Sequence, residues 1–383
     1  MKYKLGDVCE VVRGGSPRPI MDFVTNSPDG VNWLKIGDVS EFDKYFTHSA
    51  ERITKAGTAK SREVKKGDLI LSNSMSFGRV FITLIDGYIH DGWLRLRNNE
   101  DLLDREYLYY FLSSDLAQNQ LKAVATGSVV NNLKSETVKA VKIDLPPLAV
   151  QKEIGHTLAV FDAKIAINNK INHNLEQMAQ IHFERLIIEE STNQSKGILS
   201  DIANINPLRS LKRGQNALYI EMANLPTSGS FPTDWVMRQF SGGMKFTNGD
   251  TIMARITPCL ENGKTAYINF LEDGEIAFGS TEYIIITSKK GYCDEMFYFL
   301  ARYPDFVSYA VRNMNGSSGR QRVSGDTIGR YELHIPTPET VQKFAEIATP
   351  IMNTIRQNAL ENRNLAVIRD ALLPRLMSGE VEL

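Results

Sequence analysis

The stretch Leu145-Pro146-Pro147-Leu148-Ala149-Val150-Gln151-Lys152-Glu153-Ile154, running on to Leu186, decides how this chain is organised, because it occurs twice. After the double proline, apolar or small residues fall at alternating steps of three and four: Leu158, Phe161, Ile165, Asn168, Asn172, Leu175, Ala179, His182, Leu186. The same seam returns 190 positions later as Ala348, Ile351, Ile355, Asn358, Asn362, Leu365, Arg369, Leu372, Leu376, opened by Ile335-Pro336-Thr337-Pro338. Sustained 3-4 spacing is the mark of a coiled-coil seam, and a polar Asn in it costs stability while fixing register. Both copies carry Asn in the same two adjacent layers.

Taken singly, either stretch fits an amphipathic helix lying on a globular core. Two matched seams of equal length give each helix a partner in the same chain. The expectation is an antiparallel coiled coil that sets Asn168 against Asn362 and Asn172 against Asn358. The same register sets Leu158 against Leu372, Ile165 against Leu365 and Leu175 against Ile355. From Leu158 to Leu186 the seam spans about 42 Å at 1.5 Å per residue.

Working outward, the segments before the two helices also repeat. Leu199-Ser200-Asp201-Ile202 echoes Leu5-Gly6-Asp7-Val8, Asn248-Gly249-Asp250 echoes Lys66-Gly67-Asp68, and Tyr298-Phe299-Leu300 echoes Tyr110-Phe111-Leu112. Asn315-Gly316-Ser317 echoes Thr126-Gly127-Ser128. The offset wanders among these pairs but stays constant along the helices, so the globular parts carry insertions that the helices lack. The fold expectation is α+β: two pseudo-repeated α/β modules separated by two long helices. Residues 1–145 form the first module, 146–190 the central helix, 191–335 the second module and 336–383 the distal helix. Leu69-Ile70-Leu71 reads as a short buried strand, Ser72 to Phe77 as a polar loop and Arg79-Val80-Phe81-Ile82 as a return strand. Arg105 to Leu121 has the spacing of one helix, with Leu108, Phe111, Leu112 and Leu116 on its face. Thr337 is placed to cap the second long helix, with Pro338 at its first position. Pro374 interrupts that helix near its end, which weakens the place of Leu376 in the seam.

The 383 residues, 42% of them hydrophobic, suit a few globular domains, and a net charge of -1 excludes a global polycation. Any nucleic-acid site is therefore local. The three cysteines, Cys9, Cys259 and Cys293, lack metal-ligand spacing and read as reduced thiols of a cytoplasmic protein. No stretch is long enough to span a membrane.

No phosphate-binding glycine motif is present. Leu145-Pro146-Pro147-Leu148 lacks the acid or amide of the adenine-methyltransferase Asn/Asp-Pro-Pro motif and reads as a helix entry. The six histidines are dispersed; the loop pair His90-Asp91 reads as surface, and no metal site is expected. A non-enzyme is favoured. Loop side chains that can reach base edges or phosphates are Ser72, Asn73, Ser74, Arg79, Asn131, Asn132 and Lys134 in the first module. The second offers Arg255, Thr257, Asn262, Lys264, Arg320, Gln321 and Arg322, the last three in the run Gly316-Ser317-Ser318-Gly319-Arg320-Gln321-Arg322. Each taken alone also fits a solvated surface position.

The doubled layout resembles the specificity subunit of Type I restriction–modification systems. The likeness is carried by Leu145-Pro146-Pro147-Leu148 with Gln151-Lys152-Glu153-Ile154, by Ile335-Pro336-Thr337-Pro338 with Gln342-Lys343, and by the ending Leu372-Leu373-Pro374-Arg375-Leu376-Met377-Ser378-Gly379-Glu380. The resemblance covers essentially the whole chain. It implies two target-recognition domains, each reading one half of a bipartite sequence in double-stranded DNA, and helices that dock modification (methyltransferase) subunits. It implies no catalysis and no cofactor in this chain: S-adenosylmethionine belongs to the modification subunit, and ATP-driven cleavage to a restriction subunit. Pro336-Thr337-Pro338 departs from the usual double proline, which puts one docking contact in doubt. The rival readings are a coiled-coil scaffold without a DNA role and a fragment of a bifunctional restriction–methylation enzyme.

Overall fold

The computed structural model describes residues 2–39, 44–73, 78–125, 133–317 and 319–381. The chain divides into two compact units, Met1–Ala163 with Leu365–Leu383, and Lys164–Asn364. Each unit holds one module and one portion of each long helix.

In the first unit a five-stranded sheet has the order Cys9–Arg13, Trp93–Asn98, Leu69–Ser72, Val80–Thr83, Tyr45–Phe46. A four-stranded sheet has the order Glu51–Ile53, Val31–Leu34, Gly87–Ile89, Arg62–Val64, its middle pair parallel. The run Leu69-Ile70-Leu71 is apolar throughout because both of its faces are covered. Leu69 and Leu71 join one apolar cluster with Leu94, Leu96 and Ile82, while Ile70 joins another with Phe81 and Trp93. Alternate residues of a strand point to opposite faces, so one strand serves two cores.

The second unit repeats this plan. One sheet has the order Ala203–Ile205, Tyr283–Ser288, Thr251–Ala254, Thr265–Tyr267. The other has the order Val236–Gln239, Asn216–Ile220, Ala277–Gly279, Met244–Phe246, again with a parallel middle pair. Ile252 and Ile285 face one cluster, Met253, Ile284 and Ile286 the other.

Two expectations need correction here. The segment expected as one helix over 105–121 is two, Arg105–Ser113 and Asp115–Ala125, with Ser114 extended between them. The Ser114 hydroxyl accepts from the Ala117 amide and so starts the second helix. The new direction turns Leu116 outward, 57% exposed. Ser72, expected in a loop, closes the buried strand Leu69–Ser72.

The first long helix spans Leu148–Phe183 and continues as a π-helical segment, Glu184–Glu189; the second spans Pro338–Ser378. Thr337 caps the second through its hydroxyl, which accepts from the Thr340 amide at 3.2 Å. Within the second unit the asparagine layers meet as the antiparallel register requires. Asn168 Nδ2 donates to Asn362 Oδ1 at 2.9 Å, and Asn358 Nδ2 donates to Asn172 Oδ1 at 2.8 Å. Leu175, Ile351 and Ile355 share one apolar cluster. Within the first unit Leu158 packs in the same cluster as Leu372, Leu373 and Leu376, and Asp162 pairs with Arg369 at 2.6 Å. Phe161, Ile165 and Leu365 are half-buried.

Pro374 does not end the second helix, and Leu376 is buried on it. Near the other end of the seam His182 is only half-buried, and Phe183 takes the fully buried place. The seam drifts because an α-helix turns 3.6 residues, not 3.5. No described helix is long and apolar enough to cross a membrane.

Candidate nucleic-acid interface

In both modules the residue that follows the central strand of the first sheet bonds the segment beyond a pair of short helices, the helix pair being Arg105–Ser113 with Asp115–Ala125 in the first module and Asp294–Arg302 with Pro304–Arg312 in the second. In the second module the strand Thr251–Ala254 is followed by Arg255, whose carbonyl accepts from the Val323 amide at 3.0 Å. Thr257 and Gln321 then tie the two segments twice. The Thr257 amide donates to the Gln321 carbonyl, and the Gln321 amide donates to Thr257 Oγ1, each at 3.1 Å. The Gly/Ser-rich run closes as a hairpin in which Asn315 and Arg322 exchange two backbone bonds of 2.9 Å. Gly316 and Gly319 sit at φ of +132° and +79°, which an L side chain rarely adopts.

Arg322 carries the strongest polar contact of this region. Its Nε and Nη2 donate to Glu282 at 2.7–2.9 Å, and Nη1 donates to the Arg320 carbonyl at 3.0 Å. The guanidinium holds the Glu282 carboxyl below its ordinary range, and the carboxylate raises Arg322 in turn. Arg255 lies alongside, its Nε 4.0 Å from Glu282. Glu282 escaped the sequence reading because it stands in the tract Thr281-Glu282-Tyr283 with no motif around it. Arg320 is exposed at the hairpin, and Asn262 is exposed on the loop 256–264. Lys264 is spent within the protein, donating to the Met222 and Ala223 carbonyls at 2.7 and 3.3 Å. Lys264 thus braces the loop against the segment 222–223.

The first module makes the equivalent junction: the Asn73 carbonyl accepts from the Leu133 amide at 3.0 Å. Two of its candidates are enclosed within the protein. Ser72 is fully buried and its hydroxyl accepts from the Arg79 amide; Asn73 is 1% exposed and donates to the Asp91 carbonyl at 2.7 Å. Ser72 thus ties the strand end to the chain at Arg79, and Asn73 ties it to the chain at Asp91. Arg79 is half-buried with its guanidinium 5.5 Å from the Phe81 ring centre, and Lys134 is exposed beside the short helix Ser135–Lys139. Ser74, Asn131 and Asn132 lie outside the described residues.

Sequence reasoning also missed the group around Asp91. Ser16 Oγ donates to Asp91 at 2.7 Å, and Arg18 stands 3.6 Å away. The Ser16 bond lowers the Asp91 pKa. His90, read as a surface loop residue, is instead mostly enclosed: the Ile36 and Gly92 amides face its two ring nitrogens at 3.2 and 2.7 Å, and burial lowers its pKa. Among the described residues no group of His, Cys, Asp and Glu side chains is placed to hold a metal ion.

Comparison with known proteins agrees with this layout. The family model described as the Type I restriction modification DNA specificity domain matches residues 1–177. The Type I restriction enzyme MjaIX specificity subunit of Methanocaldococcus jannaschii is 22% identical, covering 99% of this chain and 92% of its own length. The HindI specificity subunit of Haemophilus influenzae is also 22% identical, with 99% of both chains covered. The crystal structure of a Type I restriction–modification S subunit from M. genitalium shares the fold, with a TM-score of 0.59 at 17% identity over 98% of this chain and 95% of that one. With two modules of one topology, a seam of paired asparagines and relatives matched from end to end, the chain is similar over its whole length to the specificity subunits of Type I restriction–modification systems, and its first 177 residues match their family model.

Proposed function

We propose that this chain gives a Type I restriction–modification complex its DNA specificity: each module reads one half of a bipartite site in double-stranded DNA, and the chain docks modification subunits. The observation that carries the reading is the repeated junction. In each module a loop leaving the central strand is hydrogen-bonded to the segment after the helix pair, through Asn73 and Leu133 in one and Arg255 and Val323 in the other. Loops held on a rigid sheet are where sequence readers place their contacts. The remaining polar candidates, Arg79, Lys134, Arg255, Thr257, Asn262, Arg320, Gln321 and Arg322, belong to or flank these loops, and their DNA contacts are part of the proposal.

Catalysis belongs to partners in this reading. S-adenosylmethionine is held by the modification subunit and ATP by the restriction subunit, in the cytoplasm, where the chromosome lies. Mapping adenine methylation across the genome of a host that expresses this chain with its modification subunit tests the proposal. Methylation at two short sequences separated by a fixed unread spacer is expected; the absence of any sequence preference refutes it. The purified chain alone is expected to transfer no methyl group.

A further inference from the structure

We propose that Arg322 reads a guanine in the half-site of the second module, with Glu282 as the residue that positions it. The inference rests on the DNA-specificity reading above and narrows it to one residue and one base.

A guanidinium has five N–H donors in a fixed plane. Arg322 commits the edge formed by Nε and Nη2 to the Glu282 carboxylate, and one Nη1 donor to the Arg320 carbonyl. What remains is one hydrogen on each of Nη1 and Nη2, the pair at the far end of the fork. That pair matches the O6 and N7 acceptors of guanine in the major groove. The side chain is 39% exposed, so the guanidinium is held by Glu282 without being enclosed.

The frame around it is anchored on both sides. The backbone of Arg322 is bonded to Asn315 in both directions, and the Glu282 carbonyl accepts from the Arg255 amide at 3.0 Å. The Glu282 amide is itself held by Ser280 Oγ at 3.1 Å. Held in this way, the arginine loses little rotamer freedom on binding, which is the advantage of a pre-organised fork.

Charge separates guanine from phosphate as the partner. A residue that grips phosphate gains from unpaired positive charge and from the counterions it releases. Arg322 is neutralised by a carboxylate it touches, and that carboxylate repels a phosphate brought to the same place. A base edge carries no net charge and pays no such penalty. Phosphate contact falls instead to cations without a carboxylate in the fork, such as the exposed Arg320.

The test uses the complex of this chain with its modification subunits, comparing wild type with Arg322→Lys, Arg322→Ala and Glu282→Gln. Methylated sites are mapped, and binding is measured on a wild-type site and on single-base variants of each half-site across a salt series. Arg322→Lys and Arg322→Ala are expected to lose preference at one guanine of one half-site, by about 5- to 150-fold, with the other half-site intact as evidence of folding. Glu282→Gln is expected to weaken the preference at that same base pair and at no other. An unchanged motif in Arg322→Lys overturns the proposal. So does a uniform loss of affinity over all sequences with a shallower salt slope, which marks a phosphate contact. A change at some other base pair in Glu282→Gln overturns the positioning role. Wild-type complex that shows no sequence preference at all overturns the DNA-specificity reading instead, so the two failures are distinct.

Discussion

Tyr110 and Tyr298 hold the same place in the two modules, and each hydroxyl reaches a carboxylate of the first long helix, Asp162 in one unit and Glu176 in the other. What surrounds the two contacts differs. Asp162 is joined by Lys44, itself 8% exposed and 2.8 Å from Glu106, and by Arg369 of the second long helix. Among the described residues the ionic partner of Glu176 is Arg302, at 4.0 Å. The second unit relies on rings: Phe183 of the first long helix stacks on Phe299, Phe344 of the second meets both edge-on, and Val341, Ala348, Met352 and Ile355 extend that cluster. One topology is thus fastened to its helices by apolar packing plus an enclosed ionic network in one unit, and by a ring-rich apolar cluster in the other. The strand pattern fixes topology, while the fastening need only be complementary.

The largest expected effect tests the apolar side. Phe344→Ala removes a fully buried ring that meets Phe183 and Phe299 at 5.9 Å, and should destabilise the second unit by about 3–5 kcal/mol. The equivalent truncation in the first unit, Ile154→Ala, should cost less, about 2–4 kcal/mol. Denaturant unfolding followed by hydrogen exchange, which resolves the two units, gives both values. Equal costs would mean that the contrast is only one of appearance.

On the ionic side, Asp162→Asn leaves Lys44 and Arg369 without the carboxylate they share. Breaking one partner of a buried pair costs about 3 kcal/mol. Glu176→Gln, which disturbs a single longer ion pair and a tyrosine bond, should cost about 1 kcal/mol. Replacing Lys44, Glu106, Asp162 and Arg369 together by uncharged residues of like size should be close to neutral, because desolvation offsets the attraction in the network. If the fourfold variant is as unstable as Asp162→Asn, the network stabilises the unit outright and the first unit is the stronger of the two at this joint.

How much of this could be read in the sequence follows from the range of each signal. The asparagine layers of the seam were legible residue by residue, since period and paired asparagines are local patterns that leave a single antiparallel register, while its drift toward Phe183 was not. The buried strands were legible for the same reason. Ser114 was not: a serine that bonds its own backbone ends one helix and starts another without disturbing the apolar spacing of the segment. The candidate DNA loops were legible as loops but not as contacts. Ser72 and Asn73 have the composition of a loop and the burial of a core, which depends on Asp91 and Arg79 arriving from elsewhere. Glu282 was invisible because its meaning depends on Arg322, forty residues away.

A swap between the units gives the next effect in size. The sequence likeness aligned Gln151 with Gln342, but at the constant helix offset the counterpart of Gln151 is Val341. Gln151 is buried and bonds the Asp104 amide and the Leu102 and Pro146 carbonyls at 2.9–3.0 Å. Val341 packs in the ring cluster, and Gln342 is exposed. Gln151→Val should cost about 2–3 kcal/mol at roughly 1 kcal/mol per lost bond, and Val341→Gln about 2 kcal/mol for an unpaired buried amide. A swap tolerated in either direction would show that this position does not distinguish the two joints.

The smallest energetic effect is expected where the sequence was most explicit. Asn168 is 1% exposed, and its amide serves both Asn362 and Glu361, at 2.9 and 2.7 Å. Replacing Asn168 alone by Leu strands Asn362 Oδ1 and should cost about 1–2 kcal/mol. Replacing Asn168 and Asn362 together removes both partners, so stability should change by no more than about 1 kcal/mol and in the stabilising direction. The loss should appear in register instead, because leucine layers repeat along the seam and tolerate a shift that asparagine layers penalise. Cysteines placed at 175 and 355, whose native side chains share one cluster, report that shift through the yield of disulfide. A yield that falls in the double-leucine chain while the melting temperature holds or rises assigns register to the asparagines. A yield that does not move assigns it to the apolar spacing, and the two polar layers must then be kept for some other reason than alignment.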